Sequence, residues 1–168
     1  MQLYIKQKVF SLKDRFTVFD ENETPRYYVE GKFFSIGKKL TVTDEYGQEA
    51  AYIEQKVLTF KPRFFVYVNG EQVAEIVKEI TFFKPRYTIE GLGWEVRGDF
   101  MNHNYEIMGL NSEPIAAIYK KWLSWGDTYC ITCEDDRNDV MVLAVVLAID
   151  CVNAQQAQAS SSSSSNNN

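Results

Sequence analysis

One histidine, three cysteines and four prolines among 168 residues narrow the chemistry this chain can perform. With His103 as the single imidazole and no G-x-S-x-G elbow, serine- and cysteine-based triads lack material. No Walker loop or dinucleotide-binding glycine fingerprint occurs, and no pair stands out among the 23 Asp and Glu. The sequence therefore predicts a protein that is not an enzyme and uses no cofactor. Cys130, Cys133 and Cys151 are too few, and odd in number, for a disulfide framework, and they suit a reducing cytoplasm. Cys130 and Cys133 form one C-x-x-C, but in a strand-like run residues i and i+3 face opposite sides. Buried or half-buried thiols, rather than a zinc or redox site, are expected. No leader pattern is expected at "MQLYIKQKVF", which mixes charged and apolar residues.

Charge of either sign is also modest. The net charge is −5, with 14 Lys/Arg against 12 Asp/Glu in residues 1–89 and 4 against 11 in residues 90–168. Bulk electrostatics gives no hold on a polyanion, and no reader motif is present, so nucleic acid is not an expected partner. A local basic face in the first half remains open.

Aromatic residues are plentiful: 11 Phe, 10 Tyr and 3 Trp favour strands. Three segments share one plan: "LTVTDEYGQEAAYIEQK" (residues 40–56), "FFVYVNGEQVAEIVK" (64–78) and "YEIMGLNSEPIAAIYK" (105–120). Each alternates apolar residues, turns through polar ones, and resumes at Ala51, Ala74 or Ala116. Each predicts a β-hairpin, with Asn69-Gly70 the strongest signal because both residues accept positive φ. A second repeat, "TPRYYVEG", "KPRFFVYVNG" and "KPRYTIEG", places Pro25, Pro62 and Pro85 at strand starts or edges, where a missing N–H does no harm. Further strands are expected at 15–19, 33–36, 40–43, 94–98 and 127–133. About a dozen short strands imply a mainly β protein, an antiparallel barrel or sandwich.

The pattern changes at "DVMVLAVVLAID" (Asp139 to Asp150), ten apolar residues between two aspartates. As a helix this stretch is about 18 Å long at ~1.5 Å per residue, against ~30 Å of bilayer hydrocarbon. It is apolar on every face, so in a soluble domain it must be buried on all sides. A barrel closed around it would bury it and remove sheet edges. The expected core helix covers residues 138–151, with Val140, Leu143, Val146, Leu147 and Ile149 inside and Asn138 or Asp139 as cap. A buried strand remains an alternative. The uncharged tail "NAQQAQASSSSSSNNN" reads as a flexible appendage (153–168) to a domain of residues 1–152.

Taken in order, "YYVEGKFFSIGKKLTV", "AYIEQK", "KKWLSWGDTY" and "LAVVLAID" resemble the LURP-one-related family, including its small bacterial members. That family is similar in fold to the tubby C-terminal domain and the phospholipid scramblases. The resemblance implies a closed antiparallel barrel of twelve strands wrapped around a C-terminal hydrophobic helix. Tubby domains bind phosphoinositides, and scramblases move lipids and bind calcium; fold likeness carries neither activity to this chain.

Two constellations follow. Lys61 and Arg63 point to one side of an extended chain, about 7 Å apart, and Lys84 and Arg86 repeat the arrangement. With Lys78 nearby, they form a candidate site for an anion or phospholipid headgroup at one barrel rim. The bland reading pairs these charges with Glu75 and Glu79. Glu134, Asp135, Asp136 and Asp139 in "EDDRND" form a weak calcium candidate, because scramblases carry an acidic segment before the corresponding helix. Arg137 interrupts this run, and helix capping explains it equally well; no metal site is expected. Trp122 and Trp125 suit either an interfacial aromatic belt or packing on the barrel. The expected function is binding of anionic phospholipid headgroups at the inner membrane face. The alternatives are a protein-interaction or structural module and a scramblase-like, calcium-dependent lipid protein.

Overall fold

Why do a dozen short aromatic strands close on themselves? In the computed structural model, which describes residues 1–6, 15–31, 37–81, 85–123 and 126–163, every strand hides one face. The strands are β1 (Gln2–Lys6), β2 (Arg15–Phe19), β3 (Pro25–Gly31), β4 (Lys39–Asp44), β5 (Glu49–Lys56) and β6 (Arg63–Val68). They continue as β7 (Glu71–Glu79), β8 (Arg86–Glu90), β9 (Trp94–Asp99), β10 (Asn104–Met108), β11 (Pro114–Leu123) and β12 (Gly126–Cys133). Each pairs antiparallel with its neighbours in sequence, and β1 pairs with β12 from Gln2↔Thr132 to Lys6↔Thr128, which closes the barrel. Closure leaves no sheet edge.

Period-two alternation sets which face is inward. Phe16 and Val18, Leu40 and Val42, Phe64 and Val66, and Tyr87 and Ile89 are buried, while their strand neighbours are less so. The three predicted hairpins are β4–β5, β6–β7 and β10–β11. Asn69 and Gly70 take φ of 52° and 78°, the positive values the turn signal required. Pro25 opens β3, while Pro62 and Pro85 immediately precede β6 and β8. Strand β1 escaped the sequence reading, although Leu3 and Ile5 alternate and are fully buried. The expected strand 33–36 lies outside the described residues.

Inside the barrel runs one helix, α1 (Asp139–Ser163), entered through a 3-10 turn at Asp136–Asn138. Every residue from Val142 to Ile149 is fully buried, which includes Leu143, Val146, Leu147 and Ile149, and Val140 packs against the core at its border. A helix with side chains is ~10–12 Å across, so the barrel must make room for it. The repeated Ala51, Ala74 and Ala116 all face this interior and are buried.

The helix is longer than expected. It continues past residue 151 to Ser163, and residues 153–163 are helical rather than structureless. Ala154, Gln155, Gln156, Ala157 and Gln158 are good helix formers, and they extend a helix already nucleated by its buried half. At 25 residues the helix is long and apolar enough to cross a membrane by length and composition. Length therefore does not keep this helix out of a bilayer; burial of its apolar half is what places it in the barrel. Along the helix, solvent contact begins after Val152.

Two aspartates frame the apolar run, and both are buried. Asp139 accepts 2.6 Å bonds from the Val140 amide and the Tyr27 hydroxyl. Asp150 accepts from the Tyr129 hydroxyl at 2.6 Å and lies 2.8 Å from His103 Nε2. Burying a carboxylate is costly unless it is hydrogen-bonded, so these partners fix the depth and rotation of the helix.

Candidate functional site

The up-and-down path gives the barrel two unlike ends. Helix α1 starts at one end and emerges at the other, where β5–β6, β7–β8 and β9–β10 are joined. Among the described residues, the connections at the start end carry Asp20, Glu21, Glu23, Glu45, Glu113, Glu134, Asp135 and Asp136 against Arg137. Among the described residues, the connections at the exit end (37–38, 57–62, 80–81, 85 and 100–103) carry Lys61 and the buried Lys38 and no carboxylate, while Glu79 and Asp99 end β7 and β9 there. Lys56, at the end of β5, adds an exposed cation.

The exit end also holds most of the exposed large apolar side chains. Val57, Leu58, Phe60, Ile80 and Met101 project there, with Leu58 at 103% and Phe60 at 91% of full exposure. Leu58 has φ of 58°, a conformation an ordinary side chain adopts only under constraint. The backbone thus holds a leucine in water. Tyr46 and Leu110 are exposed at the start end, among carboxylates and polar turns.

The expected anion cluster does not assemble from its strand-start cations. Lys61 Nζ lies 2.6 Å from Glu79, Arg63 lies 2.6 Å from Glu75, and Arg86 lies 3.3 Å from Glu95, all on the outer wall. The bland reading, with Glu75 and Glu79 as partners, describes the first two. Glu75 and Glu79 were visible in the sequence; Glu95 was not, because the β8–β9 register that brings it to Arg86 is a tertiary matter. Lys84 and Trp125 lie outside the described residues, and of Trp122 only the backbone, in β11, is described.

Lys78 differs from the others. It shares the inward face of β7 with Ala74 and Ile76 and sits opposite the buried Tyr87. No carboxylate pairs with it among the described residues, and burial alone pushes its ammonium below the usual lysine range. It lines an open cleft of about 670 Å³ between the emerging helix and the β8–β10 wall, with Pro85, Tyr87, Phe100, Met101 and Gln156.

The acidic segment before the helix is dispersed. Asp135 accepts from the Arg137 amide and guanidinium, which hold its carboxyl at about 2. Asp139 turns inward to Tyr27, and Asp136 and Glu134 are exposed. No group of three metal-binding side chains converges among the described residues. Asp135 caps the 3-10 turn, and Asp136 lies 2.8 Å from the amino group of Met1.

The polar interior was not foreseen. His103, read as a turn residue, has φ of 49° and stacks on Tyr129 at 4.2 Å between ring centroids. Among the described residues, its Nδ1 and the Tyr105 hydroxyl are buried without a partner. The three thiols are buried, and burial pushes Cys133 and Cys151 up to about 12.

Similar proteins agree with this architecture. A family profile described as LURP-one-related matches residues 1–150. "Uncharacterized protein YxjI" of Bacillus subtilis (strain 168) is 36% identical over 152 residues, covering 90% of this chain and 93% of that one. A crystal structure of a protein from Arabidopsis thaliana superimposes with a TM-score of 0.61 at 15% identity, covering 90% of each chain, which speaks for the fold alone. With matching profile, relative and barrel, the chain belongs to the LURP-one-related family.

Proposed function

We propose that this protein is a non-enzymatic module that docks on anionic phospholipid surfaces at the cytoplasmic face of a membrane, helix-exit end first. One observation carries the reading: among the described residues the barrel is polarised, with exposed Leu58, Phe60, Ile80 and Met101 beside the exposed Lys56 at one end and eight connection carboxylates at the other. An exposed apolar cluster marks an interaction surface. Anionic headgroups attract basic residues at about 1 kcal/mol per Lys or Arg near the surface. The same field repels the carboxylate end, so the orientation is set before contact. Lys56 would meet the headgroups, and Leu58 and Phe60 would enter the interfacial layer.

Co-sedimentation with vesicles tests this. Retention is expected on vesicles containing phosphatidylserine and not on pure phosphatidylcholine, and it should weaken with salt. Leu58→Asp plus Phe60→Asp should abolish retention and leave the melting temperature unchanged. Equal retention on both vesicle types, or none, overturns the reading. Retention by a protein partner rather than lipid would appear as no vesicle binding with these same variants losing the partner.

A further inference from the structure

The cleft beside the emerging helix has a chemistry of its own. Its walls are mainly apolar: Pro85, Tyr87, Phe100 and Met101. Tyr87 and Phe100 meet edge to face at 4.9 Å, and Phe100 is itself fixed by Asn153 of the helix, whose side-chain amide donates to the Phe100 carbonyl at 2.9 Å. The apolar floor is therefore held in place by both strand and helix.

Charge in the cleft is nearly all committed. Arg97 forms a two-pronged pair with Glu95 at 2.8 and 2.7 Å. Both oxygens of Asp99 are taken by Asn102, through its backbone amide at 3.2 Å and its side-chain amide at 2.7 Å. Lys78 alone presents an ammonium with no carboxylate partner among the described residues, inward-facing and beside the side chain of Gln156.

A partly buried cation without a counter-charge costs stability. Its retention is explained by a ligand that supplies the missing anion. Among the described residues Lys78 is the one cation of the cleft without a carboxylate partner, which matches a small head of one or two negative charges better than a polyphosphate. A volume of about 670 Å³ is in the range of small-molecule sites. One anionic group on Lys78 with a hydrocarbon chain over Phe100 and Met101 satisfies both the charge and the apolar walls.

We infer that this cleft binds a single-chain anionic amphiphile, with its carboxylate or monoester phosphate on Lys78 and its chain along Pro85, Phe100 and Met101. The inference rests on the docking reading only for delivery, since a membrane met at this end would present such amphiphiles at the cleft mouth.

Titration of the full chain with dodecanoate below its critical micelle concentration, followed by calorimetry, tests the site. Saturable one-site binding is expected, with dodecyl phosphate binding alike and acetate and inorganic phosphate not binding measurably. Dodecyl phosphate binding in place of dodecanoate would assign the head to a phosphate monoester. Lys78→Met should weaken dodecanoate at least tenfold, and Met101→Asp, at an exposed position, should weaken it without unfolding. Equal binding of dodecyltrimethylammonium, or unchanged affinity in Lys78→Met, overturns the inference. The two readings separate cleanly: Leu58→Asp plus Phe60→Asp should lose vesicles and keep dodecanoate, and Lys78→Met should do the reverse.

Discussion

The Tyr129 hydroxyl, from the last strand, reaches across the barrel interior to Asp150 on the central helix at 2.6 Å. This bond, with Tyr27 to Asp139 near the other end, ties an otherwise apolar helix to the wall at two heights. Tyr129→Phe removes a donor from a buried carboxylate and should cost about 1–3 kcal/mol. The measurement is a urea midpoint, read at constant m-value. An unchanged midpoint would mean that the bond contributes nothing to helix placement.

Val146 is fully buried at mid-helix. Val146→Asp places a charge where no partner exists and should abolish soluble folded protein. Leu143→Ala, which only leaves a cavity, should fold with a loss of about 2–5 kcal/mol. A soluble, cooperatively melting Val146→Asp variant would contradict the enclosed helix.

Alkaline pH should weaken the fold. Cys133 and Cys151 ionise only near about 12 when folded, and burial likewise raises the phenols of Tyr105 and Tyr129. Unfolded thiols and phenols lose protons from about pH 8.5 and 10. Above those values the unfolded state binds fewer protons, so stability is full below about pH 8.5 and declines as pH rises toward 12. Denaturant midpoints across this range should fall, and Cys151→Ala should flatten the first part of the slope. The native thiols should also resist a disulfide reagent until the protein unfolds.

Lys78→Met should raise the melting temperature at neutral pH. Burial lowers the folded ammonium below its unfolded value. The charged form is therefore less stable in the fold, and stability gains as pH climbs through the folded value toward about 10.4. The methionine variant should be more stable and should lose that gain. A less stable Lys78→Met would mean that the ammonium has a favourable partner.

The polar end of α1 passes through the docking face: the side-chain amides of Gln155 and Gln55 donate hydrogen bonds to one another at 3.0 and 3.3 Å, and Gln158 stands beside Leu58 and Phe60. Uncharged polar side chains gain nothing from hydrocarbon, so this extension limits how deeply the rim can enter a bilayer. Truncation after Gln158 should strengthen vesicle retention; weaker retention would make the extension part of the contact.

Much of this architecture could be read from residues. Alternation in Phe64–Val68, Asn69-Gly70, and the all-round apolar run at 140–149 each has a local physical cause, and each appears where its cause places it. What local pattern could not give is register across the barrel. Whether Arg86 meets an anion or Glu95 depends on which residue of β9 lies beside it, and no local property of "KPRYTIEG" encodes that. The His103–Asp150 contact joins residues 47 apart in sequence through the helix's rotation, and it was invisible for the same reason. Leu58 and Phe60 were readable as apolar loop residues, but their gathering with Ile80 and Met101 required the barrel to set one end of every second connection together.

The pairing of β1 with β12 has a consequence during synthesis. The first strand leaves the ribosome with no partner for one of its edges until the twelfth is made, and the helix that fills the interior follows even later. Until then the nascent chain is an open, curling sheet with two raw edges and a bare apolar face, the condition most prone to misassociation. The β1–β12 contact spans nearly the whole barrel in sequence, so this last closing step is slow. Completion therefore waits for β12 and α1, when the helix enters and the outermost strands meet around it, and until then the unfinished sheet is the species most exposed to its neighbours.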